Sequence, residues 1–413
     1  DSRSVQKGSI FFALKGENFN GNKFAIESIN QGCIAAIVDD PNIKNERCYY
    51  VEDVLRTLQG LASMHRIVLG VRVLAVTGTN GKTTTKELIN AVLSQKYKVY
   101  ATKGNLNNHI GVPLTLLSLT KEIDIAVVEM GANHPGEISL LASIAEPDYG
   151  IITNIGKAHL EGFGSFEGVK NTKGELYQNI AEKNGCVFYN PENAILEELI
   201  NKNSLADQAI PYGYGLESVT IDSSNKNPFL CLDIKPVDVN ARISIKTSLV
   251  GNYNYENVLC AITVGQFMGI SIELIKSAIE SYTPSNSRSQ LVKTKNNEVI
   301  LDAYNANPSS MEVAIKNFAS FSNPNKTIII GEMLELGDYS VEEHKKIAVL
   351  VKSLNFQLTI FIGRGFEEES KEILFFKDSE SCSKYLMDNP IANSLVLLKG
   401  SRGVKLEKVM EKL

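Results

Sequence analysis

Short apolar runs alternate along the chain with segments whose apolar residues recur every three to four positions. The short runs are typical of strands buried in a parallel sheet. They predict strands at residues 34–38, 71–76, 125–129, 150–153, 327–330, 358–362 and 395–398. The amphipathic segments predict helices at residues 53–69, 82–96, 256–268, 272–281, 310–321 and 341–354. Strand–helix alternation of this kind indicates an α/β fold with parallel sheets.

Two places along the chain suggest domain boundaries. A strand-like segment ends near Val51 before a predicted helix, and a turn-rich segment around Pro284 follows another helix. We therefore predict a small N-terminal domain at 1–53, a central domain at 54–284 and a C-terminal domain at 285–413. A length of 413 residues suits two or three domains. The sequence lacks a starting Met, so we expect the natural first domain to begin earlier.

Charge and composition narrow the class of protein. The 42 basic and 47 acidic residues give a net charge of −5, so a global basic surface for nucleic acid is absent. The six cysteines stand singly, which argues against a disulfide framework and a structural zinc site. Neither a membrane-spanning run nor a signal-peptide pattern is present. We expect a soluble cytoplasmic protein without a nucleic-acid partner.

The strongest chemical motif follows the strand predicted at 71–76. The sequence Thr-Gly-Thr-Asn-Gly-Lys-Thr-Thr at 77–84 opens a predicted helix, where backbone N–H groups can hold phosphate oxygens. Lys82 is expected to reach the β- and γ-phosphates, and the Thr83 hydroxyl to bind Mg²⁺. The remaining phosphate-loop positions are Gly78, Thr79, Asn80, Gly81 and Thr84. The first glycine of the general pattern is replaced by Val76, so this loop is a variant.

Three further polar residues follow or lie beyond neighbouring strands. Glu129 ends the strand predicted at 125–129, beside the phosphate loop, where it suits a role as Mg²⁺ ligand or a solvated strand end. His159 lies just beyond the strand predicted at 150–153, and a lone histidine is more often structural than a ligand. Spacing alone assigns no role to Lys173.

Together these motifs resemble the Mur ligases of peptidoglycan synthesis. The resemblance covers residues 77–84, Glu129 and the segment 153–177, and extends to residues 8–21, 331–337 and 397–403. It implies an ATP-dependent, ADP-forming ligase that makes C–N bonds. It also implies three domains: a UDP-sugar-binding N-terminal domain, a central P-loop parallel-sheet ATPase domain and a C-terminal Rossmann-like α/β domain.

The segment 302–308, Asp-Ala-Tyr-Asn-Ala-Asn-Pro, narrows the resemblance. It is similar to the member that joins D-alanyl-D-alanine to the terminal carboxylate of UDP-N-acetylmuramoyl-tripeptide through an acyl phosphate. Other Mur ligases and folylpolyglutamate synthases tend to carry an Asp-x-Ala-His-x-Pro pattern there. Another amide ligase of this kind, or a regulatory P-loop ATPase without ligase activity, remains the alternative. The enzyme is expected to act as a monomer.

The resemblance also implies the catalytic and metal-binding groups. Lys82, Glu129, His159 and Lys173 become catalytic residues, with Lys173 carbamylated by CO₂. A carbamate turns the lysine cation into an anion with two oxygens, which can act as a carboxylate beside Mg²⁺. Two Mg²⁺ ions are then implied, held by Thr83, Glu129, His159 and the carbamate of Lys173.

Further binding residues are implied at the nucleotide and at the two other substrates. Asn254 and Asn257 match the adenine side, although Tyr253 stands where many members have His. Arg288 matches an arginine that reaches the ATP phosphates when the domains close. The positions implied for the UDP-peptide and the dipeptide are Ser2, Glu17, Asn18, Phe19, Asn107, Asn108, Tyr304, Asn305 and Asn307. The N-terminal residues and Asn107 and Asn108 equally suit a role in turns.

Overall fold

The computed structural model describes residues 2–3, 5–222, 228–285, 287–369, 371 and 373–413. In these residues the strands form three groups along the chain, each with its own buried core. Thr77, at the end of one central strand, is followed by the loop that carries the site. The described helices include none that is both long and apolar enough to cross a membrane.

The N-terminal group is small. Its parallel sheet has the order β1–β4–β5 and a hairpin, β2–β3, precedes the only helix of this group that the structure describes. The elements are β1 (Ile10–Phe12), β2 (Lys15–Gly16), β3 (Phe19–Asn20), a 3₁₀ turn (Gly21–Phe24), α1 (Ala25–Asn30), β4 (Ala35–Val38) and β5 (Cys48–Tyr50). The core consists of only a few small residues, among them Ala13, Ala36 and Ile29. This group therefore buries little apolar surface by itself.

The central group is built on a parallel six-stranded sheet of order β11–β10–β9–β6–β8–β7. Its strands are β6 (Arg72–Thr77), β7 (Val99–Ala101), β8 (Ile125–Glu129), β9 (Tyr149–Ile152), β10 (Cys186–Tyr189) and β11 (Ala209–Pro211). Its helices are α2 (Val54–Leu69), α3 (Lys82–Leu93), α4 (Gly111–Leu117), α5 (Glu137–Ala145), α6 (Leu160–Phe163), α7 (Phe166–Glu182) and α8 (Ala194–Lys202), with a 3₁₀ turn at Ala206–Gln208. Separate apolar clusters cover the two faces of the sheet, which explains why its strands are continuous apolar runs.

An antiparallel sheet extends the central group and was not predicted from the sequence. It consists of β12 (Leu216–Ile221), β13 (Phe229–Pro236) and β14 (Ile243–Val250). It is followed by a 3₁₀ turn (Asn252–Asn254), α9 (Tyr255–Phe267) and α10 (Ile272–Ser281). In β13 buried and half-buried residues alternate, so one face only meets the core. None of these three strands is a short, wholly apolar run, which is the pattern that predicted the strands of the parallel sheets.

The C-terminal group has a six-stranded sheet of order β15–β16–β20–β17–β18–β19, parallel except for β15. Its strands are β15 (Gln290–Lys293), β16 (Glu298–Asp302), β17 (Lys326–Gly331), β18 (Leu358–Ile362), β19 (Leu374–Phe376) and β20 (Leu395–Lys399). Its helices are α11 (Pro308–Ser320), α12 (Ser340–Ser353), α13 (Ser379–Asp388) and α14 (Glu407–Met410), with 3₁₀ turns at Gly337–Tyr339, Arg364–Glu369 and Arg402–Val404. Apolar clusters again cover both faces. This sheet thus has the predicted α/β character.

The predicted elements agree with the structure to within one or two residues at nearly every end. The main difference is the helix predicted at 82–96, which ends at Leu93 with Ser94 as its C-cap. The predicted boundary at 53/54 falls on Asp53, whose carboxylate caps α2 by accepting a hydrogen bond from the Arg56 backbone. The domain limits themselves stay a prediction.

Truncating the core beneath the phosphate loop is expected to destabilise the protein. Leu88 lies on α3, is fully buried and belongs to the cluster between α3 and the central sheet. Leu88→Ala leaves a cavity there and should lower the free energy of unfolding by about 2–5 kcal/mol. Urea unfolding followed by circular dichroism measures this loss, since the chain has no tryptophan.

Val68→Ala on α2 is the matched control, because the Val68 side chain is 78% exposed. It should change the free energy of unfolding by no more than about 0.5 kcal/mol. Equal effects of the two substitutions would contradict the packing described for α3.

Candidate active site

The loop between β6 and α3 requires glycine at two positions. Gly78 has φ +138° and Gly81 has φ +80°, both outside the range that side-chain-bearing residues favour. A Cβ atom on Gly78 would overlap the Thr153 hydroxyl, and one on Gly81 would lie 2.5 Å from Asn257 Oδ1. Gly81 directly precedes the first turn of α3. The N–H groups at that helix start can therefore bind phosphate oxygens.

Residues that follow β9 brace the loop from one side. Asn154 accepts a hydrogen bond from the Asn80 backbone N–H at 3.0 Å and donates one to its carbonyl at 3.1 Å. The Thr153 hydroxyl donates to the same carbonyl at 2.6 Å. Asn154 was not predicted as a site residue, although its place just beyond a strand end on the same rim was a usable signal.

Lys82 lies over the loop. Its Nζ donates to the carbonyl oxygens of Gly78, at 2.7 Å, and Thr79, at 2.9 Å. Loss of solvation lowers the pKa of Lys82 to about 8, the charge of Glu129 opposes this, and the charge of Arg288 adds to it. The amine therefore faces the same space as both of these groups.

Glu129, at the end of β8, is buried and held on both carboxylate oxygens. Thr83 donates to Oε2 at 2.9 Å and Asn107 Nδ2 donates to Oε1 at 2.8 Å. Buried Lys86, which was not predicted, brings its Nζ to 3.9 Å from Oε2 and donates to the Thr102 carbonyl at 2.6 Å. A hydroxyl and a carboxylate are the hard oxygen donors that Mg²⁺ prefers.

The described residues contain no cluster of three or more His, Cys, Asp or Glu able to hold a metal by themselves. A cation bound at Thr83 and Glu129 would thus complete its coordination with phosphate oxygens and water. Mg²⁺ commonly keeps such a mixed coordination sphere in nucleotide sites.

Lys173 lies on α7 and is buried. Its Nζ lies 3.4 Å from the Ala132 carbonyl and 5.5 Å from the centre of the Phe163 ring. Burial and, to a smaller extent, the positive charge of Lys82 lower the pKa of Lys173 to about 7. The charges of Glu137 and Glu175 oppose this shift. Both causes of the lowered pKa favour the neutral amine over the cation.

His159 lies at the start of α6 with φ +49°. Its Nδ1 is 2.5 Å from Glu335 Oε2, and its ring meets the edge of Phe163 at 6.3 Å between centres. Glu335 belongs to the C-terminal group, has φ +64° and was not predicted as a site residue. The hydrogen bond from His159 lowers the pKa of Glu335. The pair therefore joins the central and C-terminal groups.

The residues predicted to lie on the adenine side, Asn254 and Asn257, belong to a buried chain of hydrogen bonds next to the loop. Thr85 donates to Asn257 Oδ1 at 3.0 Å, Asn257 donates to Asn254 Oδ1 at 3.0 Å, and Asn254 donates to the Val250 carbonyl at 2.9 Å. These hydrogen bonds join α3 to the start of α9. The neighbouring Tyr253 hydroxyl bonds to another partner, Ser289, at 2.8 Å.

The C-terminal group contributes the facing wall. The Arg288 guanidinium lies 3.8 Å from the centre of the Tyr304 ring. Asn305 accepts a hydrogen bond from the Ala306 backbone through its side-chain oxygen. Asn307 caps α11 by accepting from the Ser310 N–H at 2.9 Å and donates to Asn80 Oδ1 of the phosphate loop at 2.8 Å.

Further polar contacts join the two groups. The Lys157 amine lies 3.1 Å from Glu343, and the Lys157 backbone N–H donates to the Ser309 hydroxyl at 3.1 Å. Together with the Asn80–Asn307 and His159–Glu335 contacts, these Lys157 contacts join the central group to the C-terminal group.

A cleft of about 920 Å³ lies between these walls. The predicted residues that line it are Thr79, Asn80, Gly81, Lys82, Thr83, Thr84, Asn107, Asn108, Glu129, His159, Asn254, Asn257, Arg288, Tyr304, Asn305 and Asn307. Asp302 and Lys399 line it too and form a 2.6 Å ion pair at the paired ends of β16 and β20. Neither residue was predicted as a site residue from the sequence, although each is a charged residue at the end of a strand, as Glu129 is.

Other predicted residues lie outside the cleft lining. Lys173 is buried with its amine near the carbonyl of Ala132, which does line the cleft. Gly78 is covered by Thr153, and Ser2 lies in the N-terminal group. Glu17 and Asn18 occupy the turn of the β2–β3 hairpin. Phe19, on the same hairpin, is half exposed and stacks on Phe24 at 5.6 Å between ring centres.

Asn108 serves a local turn as well as lining the cleft. Its Oδ1 accepts hydrogen bonds from the backbone N–H groups of Ile110 and Gly111, as turn-forming Asn residues do. His344, which had no motif, is buried, accepts from the Met333 N–H and contacts the Ser340 carbonyl. The six cysteines are free thiols.

Comparison with known proteins follows the same division of the chain. The family model of the Mur ligase middle domain matches residues 76–265, and that of the Mur ligase glutamate ligase domain matches residues 287–402. The UDP-N-acetylmuramoyl-tripeptide–D-alanyl-D-alanine ligase of Bacillus subtilis is 33% identical over all of this chain and 92% of its own length. The enzyme of the same name from Escherichia coli is 31% identical, with the same coverage.

Solved structures give the same similarity. A crystal structure of MurF from Acinetobacter baumannii superposes with a TM-score of 0.89 at 29% identity, covering all of this chain and 92% of that one. MurF ligase from Thermotoga maritima in complex with ADP superposes with a TM-score of 0.86 at 27% identity, covering all of this chain and 95% of that one. The fold is therefore shared over the full chain.

A side chain at Gly81 should disrupt the phosphate loop. Gly81→Ala would force a Cβ against Asn257 Oδ1 and strain a backbone at φ +80°. We expect the affinity for ADP, measured by isothermal titration calorimetry, to fall by about tenfold or more, which corresponds to about 1.4 kcal/mol.

Gly60→Ala is the control, because a Cβ atom on this residue of α2 meets nothing within 4 Å. Replacing a helical glycine by alanine at such a site stabilises by about 0.5–1 kcal/mol and should leave ADP affinity unchanged. Unchanged affinity in Gly81→Ala would show that the loop does not hold the phosphates.

Proposed function

The chain belongs to the Mur ligase family, and we propose that it joins D-alanyl-D-alanine to the terminal carboxylate of UDP-N-acetylmuramoyl-tripeptide with hydrolysis of ATP to ADP. Full-length similarity to enzymes of that name supports this activity over other amide ligases of the same fold. The observation that carries it is the single cleft in which the phosphate loop meets the Tyr304–Asn307 segment of the C-terminal group.

A carboxylate is a poor acyl donor, which is why the reaction needs ATP. The tripeptide carboxylate oxygen attacks the γ-phosphorus, forming an acyl phosphate and releasing ADP. The amine of D-alanyl-D-alanine then attacks the acyl carbon, and phosphate leaves as the C–N bond forms. The protein contributes mainly positioning and charge neutralisation, as in phosphoryl transfer generally.

Groups of the chain on two sides of the cleft neutralise the phosphate charge. The Lys82 amine, which donates to the Gly78 and Thr79 carbonyls of the loop, would neutralise charge on the β- and γ-phosphates. The Arg288 guanidinium approaches from the C-terminal side. Asn254 and Asn257, at the start of α9, serve the adenine side of the nucleotide.

Thr83 and Glu129 would hold a Mg²⁺ ion, since they already form a buried, preorganised pair of oxygen donors. Bound Mg²⁺ neutralises phosphate charge and orients the transferring group. A second ion would be held by His159 and the carbamate of Lys173. Glu335 contacts the His159 ring at Nδ1, so Nε2 is the ring nitrogen that would bind a cation, an arrangement common among metal-binding histidines.

The carbamate forms when the neutral Lys173 amine attacks CO₂. A nitrogen–carbon bond forms, one proton passes to solvent, and the product carries a negative charge on two oxygens. A pKa of about 7 supports this assignment, because an ordinary lysine is almost entirely protonated at neutral pH. The product would face a cation, which compensates its charge in a buried site.

The remaining substrate contacts are assigned by region. Ser2, Glu17, Asn18 and Phe19 would hold the UDP portion on the N-terminal group. Asn107 and Asn108 would contact the sugar or peptide, and Tyr304, Asn305 and Asn307 the incoming dipeptide. The enzyme would act as a monomer in the bacterial cytoplasm, where ATP and UDP-linked precursors are available.

Turnover should require all three substrates. We expect ADP release with Mg²⁺-ATP, UDP-N-acetylmuramoyl-tripeptide and D-alanyl-D-alanine together, and little when any one is omitted. Lys173→Ala should lower kcat by about 10- to 100-fold, by analogy with the loss of a group supporting a metal site.

Lys170→Ala is the matched control, because Lys170 lies one turn earlier on α7 and pairs with Glu198 at the surface. It should keep near-normal turnover. Release of ADP without the dipeptide, or better turnover with another acceptor pair, would assign the chain to a different ligase or to a regulatory ATPase.

Carbamylation should be visible directly. In buffer equilibrated with ¹³C-labelled CO₂, the carbamate carbon should give an NMR signal that Lys173→Met removes. At fixed dissolved CO₂ the signal should rise between about pH 6 and about pH 8, because deprotonation of an amine with a pKa of about 7 produces the reactive form. A signal that persists in Lys173→Met arises elsewhere and would reject this site.

A further inference from the structure

Arg288 lies between two serines with strained backbone. Ser287 has φ +55° and Ser289 has φ +47°, a conformation that residues other than Gly, Asn and Asp seldom adopt. Such strain persists only where the surrounding structure enforces it, and it concentrates at functional sites. The direction of the Arg288 side chain is therefore set by its surroundings.

Hydrogen bonds from both large groups enforce this turn. The hydroxyl of Tyr253, a buried residue, bonds to the Ser289 hydroxyl at 2.8 Å, and the Ser289 carbonyl accepts from the Val250 N–H at 3.3 Å. From the C-terminal group, Asp302 accepts from the Ser289 N–H at 3.4 Å and Ala303 donates to the Ser287 carbonyl at 3.0 Å. Tyr253 is thus the side chain by which the central group holds the turn.

The guanidinium is restrained by a ring instead of by a carboxylate. Its Cζ lies 3.8 Å from the centre of the Tyr304 ring, a close cation–π stack, and Arg402 lies 5.4 Å from the same ring. Arg288 Nε is buried and has no hydrogen-bond partner within the described residues. Stacking therefore orients the cation without a hydrogen bond at Nε, and Arg288 lines the cleft in which a phosphate would bind.

Arg288 faces the phosphate loop across the cleft. It lines the cleft together with Lys82 and Thr83, and its charge is one of the causes that lower the Lys82 pKa. Under the proposed function, a cation on this wall would meet the ATP phosphate that is transferred.

We propose that Tyr304 and Tyr253 are positioning residues for Arg288. The Tyr304 ring supports the guanidinium, and the Tyr253 hydroxyl holds the strained turn that aims it at the terminal phosphate of ATP. This inference rests on the proposed function, because it takes Arg288 to contact the phosphoryl group that is transferred. It gives Tyr304 a role toward the nucleotide in addition to any contact with the dipeptide.

A double-mutant cycle tests the coupling between ring and guanidinium. Affinity for Mg²⁺-AMP-PNP is measured by calorimetry with the full chain and no other substrate, in Tyr304→Leu, Arg288→Ala and the double variant. Tyr304→Leu should weaken binding about threefold to tenfold, the range of a partly desolvated cation–π contact. In the Arg288→Ala background the same substitution should have almost no further effect.

Conservative variants separate positioning from folding. Tyr304→Phe keeps the ring and should restore most of the affinity lost in Tyr304→Leu. Tyr253→Phe removes only a hydroxyl and should weaken binding about threefold to tenfold, again only when Arg288 is present. ADP, which lacks the terminal phosphate, should bind all variants with nearly equal affinity.

Several outcomes would overturn the inference. Equal losses in the Arg288→Ala background, or coupling of Tyr304 to Arg402→Ala instead, would exclude Arg288 as the group that Tyr304 supports. A raised KM for D-alanyl-D-alanine with unchanged AMP-PNP affinity would place Tyr304 at the dipeptide alone. If the ligase reaction fails but the nucleotide coupling persists, the proposed function is wrong and the positioning role stands.

Discussion

The steric constraint at the β6–α3 loop determines the arrangement of the rest of the site. Gly78 and Gly81 lie so close to Thr153 and Asn257 that neither position accepts a Cβ atom. Because Asn257 also receives the Thr85 hydroxyl and holds Asn254, the start of α9 is held against the same loop. The loop backbone proposed to bind phosphate is therefore backed by buried, hydrogen-bonded polar side chains, which limits reorganisation when a ligand binds.

The contacts that close the cleft are of a different kind. Asn80–Asn307, His159–Glu335 and Lys157–Glu343 are polar, and each joins the central group to the C-terminal one. Polar interfaces between domains resemble transient protein interfaces and separate at modest cost in free energy. An enzyme that admits three substrates and must exclude water from an acyl phosphate benefits from such an interface.

Much of this architecture was predictable because its strands are buried on both faces. The strand at 125–129 was predicted to the residue, and Glu129 followed from the rule that ligands bind beyond strand ends in parallel sheets. The same rule, applied to β16 and β20, would have found Asp302 and Lys399. The strands β12–β14 each mix apolar with polar residues, so none of them is the continuous apolar run that would predict it.

Other features depend on distant parts of the chain. The low pKa of Lys173 results from burial and from the charge of Lys82, and the stack of Arg288 on Tyr304 joins two strand-flanking segments. The spacing of residues along the sequence predicts neither the pKa shift of Lys173 nor the stack of Arg288 on Tyr304. Resemblance to a family suggested the roles of Lys173 and Arg288, but the pairing of His159 with Glu335 appears only in three dimensions.

The double use of Asn307 has a consequence for how this position can vary in evolution. Its side-chain oxygen caps α11 while its amide nitrogen reaches the phosphate loop at Asn80. Aspartate would keep the cap but lose the donor and bring a negative charge toward the phosphates, and serine would cap the helix without reaching the loop. Two demands, one from the helix cap and one from the contact with the phosphate loop, therefore fall on a single side chain, and the asparagine amide meets both because it carries an acceptor and a donor.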